Sequence, residues 1–302
     1  MVTSTGSGLA VPDWPLSYGM LFPPMVGGVF YEHGHRLVAA TVGFFMLVLT
    51  ITIWRFEKRR WVRYLGLTAL FTVIAQGVLG GITVLFFLPA PVSVTHGILA
   101  QIFFALTILI AYSFSQERQA RLKDNSVCIQ PQFLRAIIFF TTLVYIQLIL
   151  GSLMRHTGSG LAIPDFPTMG GYLIPPFNRK MLSHINHWRF VHNLDPVTMK
   201  HVVIHFLHRL GALIIFLFLG ILNLLGASYS HHQSKIKFSM NLLNILTLFQ
   251  IGLGILTVLS GKTPLLTTFH VVTGAALLGS SVLLLLRAAP ISLVQFNQLL
   301  FQ

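Results

Sequence analysis

The chain has 302 residues; 54% are hydrophobic and only 9% charged, and the mean hydropathy is +0.77. A soluble domain of this length carries far more charge, and the apolar residues fall in uninterrupted runs, so a water-soluble globular protein is excluded in favour of a membrane protein. The formal net charge of +13 comes mostly from basic loops at one membrane face, so nucleic acid is not expected as a partner.

Seven runs are long enough to cross a bilayer, which takes about 20 residues. In chain order they lie near 30–54, 64–87, 92–115, 134–154, 199–225, 238–260 and 264–287. Lipid offers backbone groups no partner, so runs of this length must be helices. Arg55, Lys58, Arg59, Arg60 and Arg63 follow the first run, and Arg118, Arg121 and Lys123 follow the third. Lys235 and Lys237 follow the fifth, and Arg287 ends the seventh. All fall on one side, which basic residues mark as cytoplasmic. The loop 155–198 on the other side carries Arg155, Arg179, Lys180 and Arg189, but long loops cross regardless of charge. The single cysteine, Cys128, sits in a polar loop and excludes an intrachain disulfide or a multi-cysteine metal site. The first thirty residues lack a basic start followed by an apolar core, so no cleavable signal peptide is visible.

The chain contains an internal repeat. "STGSGLAVPDWP" at 4–15 returns as "HTGSGLAIPDFP" at 156–167, identical at nine of twelve positions. "QGVLGGITVL" at 76–85 returns as "QIGLGILTVL" at 250–259, so that Gln76, Gly80 and Thr83 match Gln250, Gly254 and Thr257. His96 matches His270, and His35–Arg36 matches His208–Arg209. The first three spans thus correspond to the last three. The fourth span is the first helix of the second copy, and a matching helix is expected upstream of Met1. Units of four helices keep the same orientation, so the repeats are parallel. The expected fold is an all-α integral membrane protein of two parallel-repeat four-helix bundles, with seven helices present in this chain. Its parts are an N-terminal unit (1–115), a cytoplasmic linker (116–133), a C-terminal unit (134–288) and a tail (289–302).

His35, His96, His208 and His270 carry the main chemical signal. Each lies within about one to three turns of the outer start of its span, at a rise of about 1.5 Å per residue. A lone intramembrane histidine is accounted for by an interhelical hydrogen bond. Two repeat-related pairs point instead to metal ligation, and apolar surroundings favour a flat, iron-containing ligand held by two imidazoles. A zinc site would normally add cysteines or carboxylates, which are scarce here. Arg36 and Arg209 either pair with the carboxylates of such a ligand or extend to the interface. His201, His205 and His208 share a face at spacings of four and three, but nothing similar occurs in the first copy.

Of the seven acidic residues, Glu32 in "YEHGHR" stands apart. It precedes His35 by three residues on one helical face, and its repeat counterpart is His205. Only the first half therefore adds a carboxylate, a group able to handle protons or stabilise positive charge. A glutamate at a helix N-terminus is also favoured by the helix dipole alone. Gln76 and Gln250, and Thr83 and Thr257, fit helix-packing contacts. His33, His184, His187 and His192 fit ordinary loop or interface positions.

The two TGSGLA-x-PD-[WF]-P segments, "EHGHR", "THG" at 95–97, "LHR" at 207–209 and "FH" at 269–270 together resemble the heme A synthase family, in the right order over essentially the whole chain. The outer loops read "LAVPDWP" and "LAIPDFP" without cysteine, like the cysteine-free branch. The resemblance implies eight transmembrane helices, in a cell (inner) membrane, with heme sites toward the outer face. It implies oxidation of a ring methyl group of heme O to a formyl group by successive hydroxylations using dioxygen, giving heme A for terminal oxidases. His35 and His96, with Arg36, would then flank substrate heme O; His208 and His270, with Arg209, would hold a heme b cofactor; Glu32 would be catalytic. Heme O synthase, an electron donor that the residues do not identify, the lipid bilayer and further copies of the chain are the expected partners. The rival reading is a bis-histidine diheme electron-transfer protein, in which both hemes are permanent.

Overall fold

The computed structural model describes residues 2–123, 129–230 and 234–289, apart from the side chains of Ser228 and Ser230. Cys128, Asp124 and residues 290–302 of the expected tail lie outside them. The described residues are all-helical, and seven of their helices are long and apolar enough to cross a membrane. These are α1 (Gly28–Phe56), α2 (Arg60–Leu85), α3 (Ala90–Ser113), α5 (Pro131–His156), α7 (Met199–Ser230), α8 (Ser234–Leu259) and α9 (Pro264–Ala288). The protein is a multi-pass membrane protein.

The spans exceed the apolar runs by a turn at several ends, because a helix continues through the polar interface where its side chains become basic. Pro91, Pro131 and Pro264 sit in the first turns of α3, α5 and α9, where a missing N–H costs nothing. Hydroxyls within the spans return to carbonyls one turn back, as Thr41 to Leu37, Thr52 to Val48 and Thr141 to Ile137, so these polar groups do not face lipid unpaired. Two shorter helices lie where loops were expected. α4 (Gln116–Lys123) follows α3, and α6 (Arg179–Val191) lies in the long loop between α5 and α7. α6 starts from Asn178, whose Oδ1 accepts the Met181 N–H at 2.9 Å. It buries Met181, Ile185 and Arg189, four residues apart, as one stripe.

The C-terminal unit is a ring in which α5 packs on α7, α7 on α8, α8 on α9 and α9 on α5. α7 and α9 are therefore diagonal, held apart by α5 and α8. In the N-terminal unit α1 and α3 both pack on α2, as α7 and α9 pack on α8. α3 also packs on α5 and α9, so those three helices join the two units. At the basic end, Arg287 pairs with Glu117 at 2.7 Å and donates to Ser239 Oγ at 2.6 Å, tying α9 to α4 and α8.

α9 sits between three neighbours because of its small residues. A Cβ at Gly279 would lie 2.9 Å from Phe104 Cε1 and Ile108 Cδ1 of α3, and one at Gly274 would lie 3.0 Å from Leu148 Cδ2 of α5. Gly279→Val should therefore force α3 away from α9, at a cost of about 1–3 kcal/mol, lowering the unfolding temperature in detergent by several degrees. Gly252→Val, on α8 with nothing within 4 Å, should leave it within about one degree; equal effects would show that the α3–α9 contact is not tight.

Candidate functional site

Each repeated polar segment folds over the end of its unit opposite the basic loops, and the two copies make matching contacts. Asp13 accepts the N–H groups of Tyr18 and Gly19 at 2.7 and 2.8 Å; Asp165 accepts those of Gly170 and Gly171 at 2.7 and 2.8 Å. These N–H groups belong to left-handed turn residues, with φ of 53° and 71° in the first copy and 65° and 84° in the second. In the second copy α6 lies on the turn: a Cβ at Gly170 would be 3.1 Å from Met181 and Ile185. Glycine is therefore required there for space as well as for φ.

An arginine then fastens each segment to its helix. Arg36 donates to the carbonyls of Asp13 (2.7 Å), Leu16 (2.6 Å) and Val11 (3.3 Å). Arg209 donates to those of Asp165 (2.8 Å), Thr168 (3.2 Å) and Ile163 (2.9 Å). The residue four positions earlier completes the clasp. In the first copy buried Glu32 accepts from Val11 N at 2.9 Å and pairs with Arg36 at 2.7 Å. In the second, buried His205 accepts from Ile163 N at 3.2 Å and from Arg209 Nε at 3.2 Å. Glu32 is thus inside the structure, not at an exposed helix end. Both guanidinium groups face loop carbonyls.

The four histidines come from matched places. His208 on α7 and His270 on α9 face each other across the ring, with ring centres 6.3 Å apart and planes at 73°. Two imidazoles sharing a metal at about 2.0–2.1 Å from a nitrogen of each put their ring centres roughly 6 Å apart. The pair therefore fits a metal held between them, and a flat ligand would occupy the space between the diagonal helices. Glycines make room for the rings: a Cβ at Gly254 would be 3.1 Å from His270 Cε1, one at Gly151 3.2 Å from His208 Cε1, and one at Gly80 3.5 Å from His96 Cε1. Nδ1 of His96 and of His270 is buried without a hydrogen-bond partner, as expected of rings placed for something other than packing. In the N-terminal unit His35 and His96 lie within electrostatic range of each other, and His35 is exposed.

Glutamines on the neighbouring helices hold the histidine backbones. Gln76 Nε2 donates to His96 O at 2.9 Å, and Gln147 Nε2 donates to His208 O at 2.8 Å and lies 3.2 Å from its Nδ1. Gln250 Nε2 approaches His270 Nε2 at 3.5 Å. Gln147 does not stand out in the sequence because it has no repeat partner among residues 1–302. The stripe His201, His205 and His208 does not converge: His201 bonds to Thr198, His205 to Ile163, and His208 to Gln147. Among the described residues no cluster of three metal-ligating side chains is found. His33 is buried against Ser17, with Nδ1 to Oγ 2.7 Å. A cleft of about 430 Å³ at the basic end, between Trp61, Tyr112 and Arg118, contains none of the four histidines.

Fold and site together define a multi-pass membrane protein with two repeat-related histidine pairs near one end of the bundle. Residues 25–282 match the family COX15-CtaA, cytochrome oxidase assembly protein, and the chain belongs to that family. It is 31% identical to the heme A synthase of Bacillus licheniformis over 185 residues, which is 59% of this chain and 60% of that protein. It is 27% identical to the heme A synthase of Lysinibacillus sphaericus over 276 residues, 89% of this chain and 82% of that protein. The Bacillus cereus heme A synthase is also 27% identical, over 277 residues.

The turn carboxylates make the outer segments sensitive to acid. The N–H bonds from Gly19 and Tyr18 hold Asp13 below its ordinary value of 3.8. For Asp165 burial pulls upward, but the bonds from Thr168, Gly171 and Gly170 outweigh it and the value is again lowered. A depressed carboxylate stabilises the folded segment above the unfolded value and stops doing so as pH falls through the folded one. Amide-exchange protection at Gly170 and Gly171, corrected for intrinsic rate, should therefore persist at neutral pH and fade below about pH 4. Asp165→Ala should remove it at every pH.

Proposed function

We propose that the chain is a heme A synthase that oxidises a ring methyl group of heme O to the formyl group of heme A by successive hydroxylations using dioxygen. Residues 1–115 form the substrate unit, in which His35 and His96 flank heme O. Residues 134–288 form the cofactor unit, in which His208 and His270 hold a heme b. That heme, when bound, supplies reversible one-electron transfer. Arg36 and Arg209 border the two sites from outside by fixing the segments over them. Both sites face the outer side of the cell (inner) membrane. Heme O arrives from a heme O synthase, heme A serves a terminal oxidase, and an external donor provides electrons; several copies of the chain assemble together.

One observation carries the assignment of roles. Glu32 and His205 have the same structural role, accepting a loop N–H and touching the arginine four residues on. A histidine is therefore sufficient for holding the segment, and the carboxylate of the first copy is available for chemistry. Glu32 precedes His35 by one turn and sits at 3% exposure. In that setting its charge, which is paired with Arg36, is screened by solvent less than in water. It stabilises positive charge developing on the substrate ring and its substituent, and it can accept a proton there.

The test uses the duplication itself. Glu32→His copies the second repeat and should keep the loop contacts and the heme b spectrum. Coexpressed with heme O synthase, it should reduce heme A, measured by chromatography of extracted hemes, at least about a hundredfold. Undiminished heme A would remove the role given to Glu32. Wild-type protein carrying heme b alone, at two per chain, would assign the diheme electron carrier instead.

A further inference from the structure

The two cations next to the histidines, Arg36 and Arg209, are bound to main-chain carbonyls. Two other cations at the outer end of the C-terminal unit are not. Arg155 and Lys262 have no hydrogen bond or ion pair from their side chains to any described residue.

Their placement follows from contacts already given. Gln147, Gly151 and Arg155 stand four residues apart on one face of α5. Gln147 touches the backbone and Nδ1 of His208, and Gly151 abuts its ring. Arg155 is the next position outward on that stripe, about 6 Å further along the axis, and its charge reaches the His270 ring as well. Lys262 lies on the link between α8 and α9. Its stem crosses Gly160 of the second polar segment: a Cβ there would be 3.1 Å from Cδ and 3.8 Å from Nζ. Arg189 adds positive charge near Lys262 while donating to the carbonyls of Asp195 and Leu161. The outer rim of the His208–His270 pair is thus a region of positive charge with no acid bound to Arg155 or Lys262.

The first copy shows what the rim looks like without these charges. Lys262 corresponds to Leu88, which packs on Gly8 as Lys262 packs on Gly160, with Cδ1 3.2 Å from a Cβ built there. Arg155 corresponds to Thr3. At Leu88 the backbone is the same as at Lys262 and the charge is gone; Thr3, which lies in a turn where Arg155 stands in a helix, carries no charge either.

We propose that Arg155 and Lys262 form a carboxylate-binding rim for the propionate groups of the heme at His208 and His270, and that this rim retains the cofactor there, whereas Thr3 and Leu88 leave the N-terminal site able to release its ligand. This rests on the reading of that pair as a heme site. Arginine and lysine bind carboxylates with charge-assisted bonds, and near the edge of a bilayer such bonds are less screened than in water. A site whose occupant is substrate and product cannot hold it equally tightly and still turn over.

The experiment measures release of heme from purified, detergent-solubilised protein to excess apomyoglobin. Arg155→Gln combined with Lys262→Leu should leave the bis-histidine absorption spectrum intact and speed release roughly tenfold or more. Lys262→Leu alone, which copies the packing of Leu88, should give an intermediate rate. Wild-type protein reconstituted with heme dimethyl ester, whose propionates carry no charge, should release it as fast as the double variant releases heme. The double variant should not distinguish the two. An intact spectrum with wild-type release, or a diester that wild type still holds tenfold better than the double variant, overturns the rim alone. Wild-type protein with no bis-histidine heme spectrum overturns the heme reading and the rim together.

Discussion

The clasp between each polar segment and the arginine behind it sets the positions of everything else at the outer end. "VPDWP" and "IPDFP" cannot continue an α-helix or a ladder through their prolines, each of which removes a donor. Their carbonyls still need partners. A guanidinium group offers five N–H donors in a fixed fork, and Arg36 and Arg209 each serve three carbonyls of one segment. Adjacent residues on a helix point about 100° apart. Fixing Arg36 against the segment therefore turns His35 away from it, and fixing Arg209 does the same for His208. Glu32 and His205, one turn earlier, join the arginine face. The clasp thus determines which side chains face the loop and which are left to face the diagonal helix.

The second constraint is the ring of helices. With α5 and α8 between them, α7 and α9 approach through side chains rather than backbones, and the His208–His270 separation of 6.3 Å results. α5 has two working faces. Gln147, Gly151 and Arg155 look toward His208, while Ser152 abuts Gly97, the neighbour of His96, at 2.9 Å from a Cβ built there. One helix therefore lines the His208–His270 pair and touches the helix that carries His96. The N-terminal tail makes a reciprocal contact, Ser4 Oγ to Thr268 Oγ1 at 2.8 Å, two residues before His270. The two histidine pairs thus share parts, which suits the proposed reaction, in which electrons pass from one to the other.

Much of this is legible in the sequence because lipid leaves so few options. Length and apolarity identify all seven spans, and the repeat offsets match His35 with His208 and His96 with His270. α6 reads as loop, although Met181, Ile185 and Arg189 repeat at the helical period, because thirteen polar-flanked residues fall below any membrane-span criterion. The partners of Arg36 and Arg209 are not legible for a different reason. A carboxylate on a ligand and a carbonyl on the chain's own loop are equally good acceptors, and only the fold says which is nearer. Gln147, Arg155 and Lys262 escape notice because repeat comparison highlights matches, and these have a changed partner or none within the chain.

Differences between the copies are therefore the more informative half of the duplication. Positions that fix the segments or make room for the rings keep the same role in both copies, Asp13 with Asp165, Arg36 with Arg209, Gly80 with Gly254. In the proposed function the positions that border the ligands differ in charge. Near the histidines the first copy has a buried carboxylate where the second has an imidazole, and at the rim the second has Arg155 and Lys262 where the first has Thr3 and Leu88. A negative group beside a ring favours positive charge forming on it and does nothing to hold its propionates. Cations at the rim hold propionates and do nothing for chemistry at a methyl group. On the proposed reading, two sites built from one repeated unit take chemically similar ligands to opposite ends, one converted and released, the other retained, by exchanging where a few charges stand.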